Sequence, residues 1–119
     1  MLNVRPQSLT HDRLVVVVTE AQTLQNVLRH TLEADGWTVL PLEDGSELFD
    51  FLELVADATA RSPQLVVIDA SVPGPSVPEL ITWAREHELP IPFVVMVRER
   101  DSQLDELART FGGVELAAA

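Results

Sequence analysis

Short apolar runs alternate along this chain with segments whose apolar residues recur at helical spacing. Three of the runs, Leu14 to Val18, Leu65 to Asp69 and Phe93 to Val97, are rich in β-branched residues and lack polar alternation. Such runs are typical of parallel strands that are buried on both faces of a sheet. Regular alternation of strands and helices implies right-handed crossover connections. The sequence therefore predicts an α/β fold with a mostly parallel sheet.

The helical segments are marked by apolar stripes and by capping residues. Asp44 with Glu47, and Ser76 with Glu79, have the N-cap and N3 spacing of a capping box, so a helix should begin after each cap. In the first helix the spacing i, i+3, i+4, i+7, i+8 predicts one buried face. The residues of that face are Leu24, Val27, Leu28, Thr31 and Leu32.

The strand order follows from how apolar each strand is. The first and third strands are the most apolar and should be central neighbours, whereas Trp37 to Leu42 is more polar and should lie at an edge. A last helix, capped by Asp101 or Ser102, leads to a short fifth strand that begins at Val114. These features predict the flavodoxin-like, doubly wound, five-stranded sheet in the order 2-1-3-4-5. We expect one domain over residues 13–119, preceded by a lead-in over residues 1–12.

Composition excludes several classes of function. The net charge is −11 and the chain has no Lys, so we expect no binding to a nucleic-acid backbone. The absence of cysteine removes disulfides and thiolate metal sites and fits a cytoplasmic protein. No apolar stretch reaches the roughly 18 residues needed to span a membrane, and the N-terminus lacks the apolar core of a signal peptide. We therefore expect a cytoplasmic protein with no membrane role.

Asp69 indicates where a functional site lies. It ends the third apolar run, directly before Ala-Ser-Val-Pro-Gly, at the sheet edge where open α/β folds form their ligand crevice. A charge is tolerated there because that edge opens to solvent. The first strand ends at the same edge with Thr19 and Glu20. The carboxylates of Glu20 and Asp69 are therefore predicted to converge in one crevice.

These residues resemble the receiver domain of bacterial two-component response regulators, over residues 13 to about 116. The segment Val-Val-Ile-Asp-Ala-Ser-Val-Pro-Gly is the most specific match, and Val-Val-Val-Val-Thr-Glu is similar to the family's first strand with its terminal acidic pair. The resemblance implies that Asp69 is at the phospho-acceptor position and that Glu20 takes the second acidic position. It also implies that the Ser71 backbone carbonyl helps to hold the metal and that Val97 takes the Ser/Thr switch position. A sensor histidine kinase, or another signalling protein, is the implied partner.

The chain departs from the receiver pattern at the residues that operate the switch. In the family, Mg²⁺ held by oxygen ligands offsets charge during phosphoryl transfer to the aspartate. A hydroxyl and a Lys then contact the phosphoryl group and report it to the surface. Here Thr19 replaces the first acidic residue, Val97 has no hydroxyl and the Lys is absent. We therefore expect weak Mg²⁺ binding and an incomplete switch.

Arg98 and Arg100 follow the fourth strand on the crevice side. In one interpretation they are exposed loop residues that pair with Asp101 or with solvent. In the other, Arg98 reaches Asp69 and takes the place of the metal or the Lys, because a guanidinium binds a carboxylate in a fork. The second arrangement would hold Asp69 in one constitutive state.

The sequence also stops before the family's fifth helix. It is either a fragment of a larger regulator or a chain that covers the corresponding apolar face by other means. A homodimer is one prediction for that cover, and a partner protein is the other.

We predict a signalling module of response-regulator type rather than an enzyme, with Asp69 at the acceptor position of a phosphorelay. A phosphorylation-independent pseudo-receiver adaptor, acting through protein–protein contacts, is the alternative. A small metal-dependent phosphotransfer enzyme is disfavoured because the sequence has no nucleophile–base pair and no set of His ligands. A flavin-binding relative is disfavoured because the first turn has no Gly and begins with an acidic residue.

Overall fold

The computed structural model describes residues 13–99 and 102–118. Its strands are β1 Leu14–Val18, β2 Thr38–Leu42, β3 Leu65–Asp69, β4 Phe93–Val97 and β5 Val114–Ala118. Its helices are α1 Gln22–Ala34, α2 Gly45–Ala56, α3 Val77–Glu86 and α4 Ser102–Thr110. None of these helices is long and apolar enough to cross a membrane. The predicted lead-in, Arg100 and the Asp101 cap lie outside the described residues.

The strands form one parallel sheet in the order β2-β1-β3-β4-β5, which confirms the predicted topology. The register between the central strands pairs Val18 with Ile68. The residues that follow this pair, Thr19 and Asp69, therefore lie side by side at the carboxyl edge of the sheet. Asp69 is itself paired with Met96 of β4.

The core is divided by the sheet into two layers. On one face the sheet packs against α2, α3 and α4, and this layer contains Val16, Val18, Val66, Ile68 and Val95. On the other face Val15, Val17, Val67 and Met96 pack against the leucines of α1. Because β1 and β3 have a helical layer on each side, both strands are apolar on both faces up to Asp69, the last residue of β3. The edge strand β2 is exposed or half-buried along its length, as its composition predicts.

The predicted buried face of α1 is wrong at two residues, since Val27 is 55% exposed and Thr31 is exposed as well, whereas Gln25 is buried. Successive side chains turn by about 100° around a helix, which puts Gln25 beside Leu28 and Leu32 and leaves Val27 on the flank. The side chain of Gln25 bonds to strand carbonyls, so this orientation satisfies polar groups as well as packing. The rotation of a helix about its axis is thus set by its contacts with the sheet.

Both predicted capping boxes mark true helix starts. Ser76 and Glu79 form the reciprocal pair at the start of α3. At the start of α2, the Asp44 side chain accepts from the Glu47 N–H at 2.9 Å, but Glu47 Oε1 accepts from Glu43 N–H at 2.7 Å, one residue before the cap. The two helix starts are therefore fixed by local hydrogen bonds that the sequence encodes.

The loop between β3 and α3 is pinned onto the first turn of α2. The Gly45 N–H donates to the Pro73 carbonyl at 2.8 Å. A Cβ at Gly45 would lie only 2.7 Å from the Pro75 carbonyl oxygen. Gly74 has a φ of +100°, which L side chains rarely adopt, and its Cβ would lie 2.9 Å from Ser46 N. These close approaches fix the segment that follows Asp69.

Candidate functional site

The Asp69 carboxylate is hydrogen-bonded at both oxygens. Its Oδ1 accepts from the Ser71 N–H at 2.9 Å and from the Ser71 hydroxyl at 2.7 Å. Its Oδ2 accepts from the Thr19 hydroxyl at 3.2 Å. The protein therefore supplies three donors to the charged form of this side chain.

Thr19 is oriented toward Asp69 by its own backbone surroundings. Its side chain is almost fully buried, and its N–H donates to the Leu42 carbonyl at 3.1 Å. The Ala21 N–H donates to the Thr19 hydroxyl oxygen at 3.1 Å. Because this oxygen already accepts a hydrogen bond, its single proton is available to the Asp69 carboxylate. Thr19 thus links the start of α1 to the acidic side chain.

The pKa of Asp69 results from opposing effects. Burial raises the pKa, and it is the largest single influence. The N–H and hydroxyl of Ser71, the hydroxyl of Thr19 and the positive charge of Arg98 together outweigh burial and lower the pKa below its ordinary value. Asp69 is therefore ionised at neutral pH.

Gln25 supports this arrangement, and the sequence interpretation missed it. Its Nε2 donates to the Val17 carbonyl at 3.1 Å and to the Leu42 carbonyl at 3.3 Å. The Leu42 carbonyl is the same group that accepts from the Thr19 N–H. Within the described part of the chain, Gln25 Oε1 is buried without a hydrogen-bond partner. The one sequence signal for Gln25 is a polar residue next to an apolar stripe, which is common on any helix.

A pocket of about 310 Å³ opens beside Asp69, and Ser71, Val97 and Arg98 also line it. Arg98 is exposed, and among the residues that the structure describes it forms no ion pair with Asp69 within 4.0 Å. Its effect on Asp69 is Coulombic, through the pocket. The described residues therefore do not include the predicted forked contact between the Arg98 guanidinium and the Asp69 carboxylate, although Arg98 does line the pocket.

Comparisons with known proteins find similarity to response regulators. No protein-family profile matches the chain. The alkaline phosphatase synthesis transcriptional regulatory protein PhoP of Bacillus subtilis is 25% identical over 107 residues, which cover 90% of this chain but only 40% of that protein. The signal receiver domain of the putative response regulator NarL from Mycobacterium tuberculosis has a TM-score of 0.70 and 16% identity, over 89% of this chain and 83% of that one. Chemotaxis response regulator CheY4 of Vibrio cholerae has a TM-score of 0.67 and 18% identity, over 89% and 85%.

This chain has the fold of response-regulator receiver domains. The receiver fold places Asp69 of this chain at the end of the central strand β3, beside the end of β1. Ser71 and Thr19 join it there, whereas Glu20 is exposed and makes no side-chain hydrogen bond or ion pair with another described residue. Val97 is half-buried and lines the pocket with an aliphatic side chain.

Receiver domains in general bind Mg²⁺ at their acidic pocket, and the donors of this chain fit such a site poorly. Mg²⁺ requires near-octahedral oxygen coordination. Residues 13–99 and 102–118 contain no group of three or more His, Asp or Glu side chains that would hold a metal ion. The hydroxyl of Thr19 carries no charge, and both oxygens of Asp69 already accept hydrogen bonds. Weak Mg²⁺ binding through Glu20, Asp69 and the Ser71 carbonyl stays a prediction.

Proposed function

We propose that this chain is a receiver-type signalling module that acts by binding a partner, with Asp69 at the phospho-acceptor position and an incomplete phosphorylation switch. The observation that supports this best is the hydrogen bonding of Asp69 by Thr19 and Ser71. Those bonds stabilise a carboxylate in one orientation and do not involve a second carboxylate.

The acceptor chemistry is weakened at its first step. Phosphoryl transfer brings an anionic donor to an anionic acceptor, so positive charge must offset the repulsion between them. Thr19 contributes a neutral hydroxyl where receivers have a metal-binding carboxylate. The hydrogen bonds to Asp69 also stabilise its negative charge, which reduces its tendency to attack phosphorus. The proposal therefore expects slow or absent phosphorylation.

The readout of a phosphoryl group is weakened as well. Val97 has no hydroxyl to accept or donate a hydrogen bond, and the chain contains no Lys. Among the described residues, Arg98 is the cation that lines the pocket, but it lies on an exposed loop rather than on a buried strand end. A module built in this way signals through a surface that is present at all times. A sensor histidine kinase or another signalling protein is the proposed partner.

Incubation with Mg²⁺ and acetyl phosphate, or with beryllofluoride, tests the proposal. Intact mass reports covalent modification, and amide NMR shifts around Asp69 report a change of state. We expect neither a phosphoryl adduct nor shifts in the native chain. A stoichiometric adduct that Asp69→Asn removes, together with shifts that reach β4 and α4, would overturn the proposed incomplete switch.

A gain-of-function double variant gives a more specific test of the same proposal. Thr19→Asp restores a carboxylate at the end of β1, and Val97→Thr adds a hydroxyl beside the pocket. We expect the double variant to bind Mg²⁺ at least about tenfold more tightly than the native chain, because a second carboxylate joins Asp69. The matched control Thr31→Asp adds the same charge on the exposed side of α1 and should leave Mg²⁺ affinity unchanged.

A further inference from the structure

A second concave surface lies between α2 and α3. We name it the α2–α3 groove and define it by Phe49, Pro75, Pro78, Glu79, Trp83 and Glu86. Its volume is about 560 Å³, within the range of sites that bind small ligands or peptide side chains. The groove shares no lining residue with the Asp69 pocket. Most of its lining residues are apolar, and two, Glu79 and Glu86, are acidic.

The aromatic wall of the groove is held in place by ring contacts. Phe49 meets Trp83 edge to face, with the ring centroids 5.1 Å apart and the planes at 70°. The His87 ring stacks on Trp83 at a centroid distance of 3.8 Å. His87 is further fixed by a 2.9 Å hydrogen-bond contact between its Nδ1 and the Trp83 carbonyl. Rigid aromatic surfaces bind apolar or proline residues at low entropic cost.

The charged residues that line the groove are acidic. Glu79 and Glu86 line it, and among residues 13–99 and 102–118 no Arg does. Hydrogen bonds from Ser76 lower the pKa of Glu79, which keeps that carboxylate ionised. The neighbouring cation Arg85 is directed elsewhere, since its guanidinium donates to the Leu89 and Gly112 carbonyls, each at 2.9 Å. Within the described part of the chain, the groove therefore combines an apolar lining with two carboxylates that no cation pairs.

We propose that the α2–α3 groove docks a short basic segment of a partner protein. An apolar or proline residue of that segment packs against the surface that Phe49 and Trp83 form together, and flanking Arg or Lys residues pair with Glu79 and Glu86. Complementary charge selects this occupant. A second copy of this chain is disfavoured because its net charge is −11, and a nucleic acid is repelled by the same carboxylates.

This inference stands apart from the proposed phosphorylation behaviour. The groove needs no modification of Asp69, although Pro75 belongs to the same loop as Ser71. Binding at the groove in a chain that also responds to beryllofluoride would overturn the proposed incomplete switch and leave the groove intact. If no peptide binds the groove and the chain also shows no response to beryllofluoride, the groove proposal is overturned and the proposed incomplete switch stands.

Peptide titration monitored by ¹H–¹⁵N NMR tests the groove directly. The chain has two tryptophans, so the indole signal of Trp83 is followed with Trp37 as an internal reference. Three capped hexapeptides serve as probes: Arg-Lys-Leu-Pro-Leu-Arg, its acidic counterpart Glu-Glu-Leu-Pro-Leu-Glu, and the charge-only Arg-Lys-Gly-Ser-Gly-Arg. We expect a saturating shift of Trp83 with the first peptide, and affinities at least about tenfold weaker with the other two.

Variants identify the contacts without disturbing the capping box. Thr82 also lines the groove, so Thr82→Arg puts a bulky cation into it and should weaken binding at least about tenfold. Glu86→Gln should weaken it about threefold, the size expected for an exposed charge pair. Glu33→Gln on the exposed side of α1 is the matched control and should leave binding unchanged.

Two results would overturn the proposal. One is a Trp83 shift of equal size and affinity with the acidic and the basic peptide, which would mean that charge plays no part. The other is a homodimer in light scattering that Thr82→Arg converts to monomer, which would make the groove an interface between copies of this chain.

Discussion

The Thr19 hydroxyl donates a hydrogen bond to Asp69 Oδ2 at 3.2 Å, although the two residues are fifty positions apart in the sequence. The register of β1 and β3 brings them together, because Val18 pairs with Ile68 in the preceding row. The residue beside the Asp69 carboxylate at this sheet edge therefore offers it a neutral hydroxyl. The contact stabilises the ionised form of Asp69.

Replacing Thr19 with Val should destabilise the chain and raise the pKa of Asp69. The variant removes a partly buried hydrogen bond to a charged group and leaves the Ala21 N–H without its acceptor. We expect a loss of about 2 kcal/mol in the free energy of unfolding. Urea denaturation measures the stability, and NMR titration of the Asp69 carboxyl carbon measures the pKa. Thr31→Val, on the exposed side of α1, should change neither.

The stability of the chain should depend on pH through Asp69. Its pKa is lower in the folded state than in the unfolded state, where it is about 3.9. The stabilisation is therefore fully present above that value, and it is lost as the pH falls through the lower folded-state pKa. We expect the difference in unfolding free energy between the native chain and Asp69→Asn to shrink below about pH 4. Urea denaturation from pH 7 to pH 3 measures this difference.

Asp50→Asn is the control for that pH series, because Asp50 is an exposed carboxylate on α2. The difference in unfolding free energy between the native chain and Asp50→Asn should change less with pH than the difference between the native chain and Asp69→Asn. Equal pH dependence in the two variants would contradict the role assigned to the hydrogen bonds of Ser71 and Thr19.

The sequence predicts those parts of the structure that depend on local chemistry. Strand order follows from which apolar runs lack polar alternation, and the starts of α2 and α3 follow from the caps Asp44 and Ser76. The partners of Asp69 are different, because the Thr19 bond depends on the register of two distant strands. The burial of Gln25 instead of Val27 in α1 also depends on non-local contacts, since the sheet determines how the helix is rotated about its axis.

Gly45→Ala should destabilise the chain and disturb the Asp69 site at the same time. The added Cβ would lie 2.7 Å from the Pro75 carbonyl oxygen and 3.2 Å from that of Pro73, so backbone must move. We expect a loss of about 2 kcal/mol in unfolding free energy, and a change in the amide shift of Ser71 as its loop is displaced. Gly112→Ala is the matched control, because a Cβ there meets nothing within 4 Å, and it should stay within about 0.5 kcal/mol of the native chain.

Arg98→Ala should raise the pKa of Asp69, and by less than Thr19→Val does. Arg98 lowers this pKa through the pocket by Coulombic attraction, and it makes no ion pair with Asp69 in the described residues. An exposed charge at that range is screened by salt, whose Debye length falls from about 10 Å at 0.1 M to about 3 Å at 1 M. We therefore expect the effect of Arg98→Ala on the pKa of Asp69 to vanish in 1 M salt, whereas the effect of Thr19→Val persists.

Arg61→Ala removes an exposed Arg that does not line the Asp69 pocket, and it should leave the pKa of Asp69 unchanged at either salt concentration. The same NMR titration, combined with Mg²⁺ titration, also tests the direct fork between Arg98 and Asp69. A shift from Arg98→Ala that exceeds that of Thr19→Val, resists salt and is accompanied by tighter Mg²⁺ binding would mean that the guanidinium holds Asp69 in place of a metal. A smaller, salt-sensitive shift leaves the hydroxyls of Thr19 and Ser71 as the groups that fix this carboxylate.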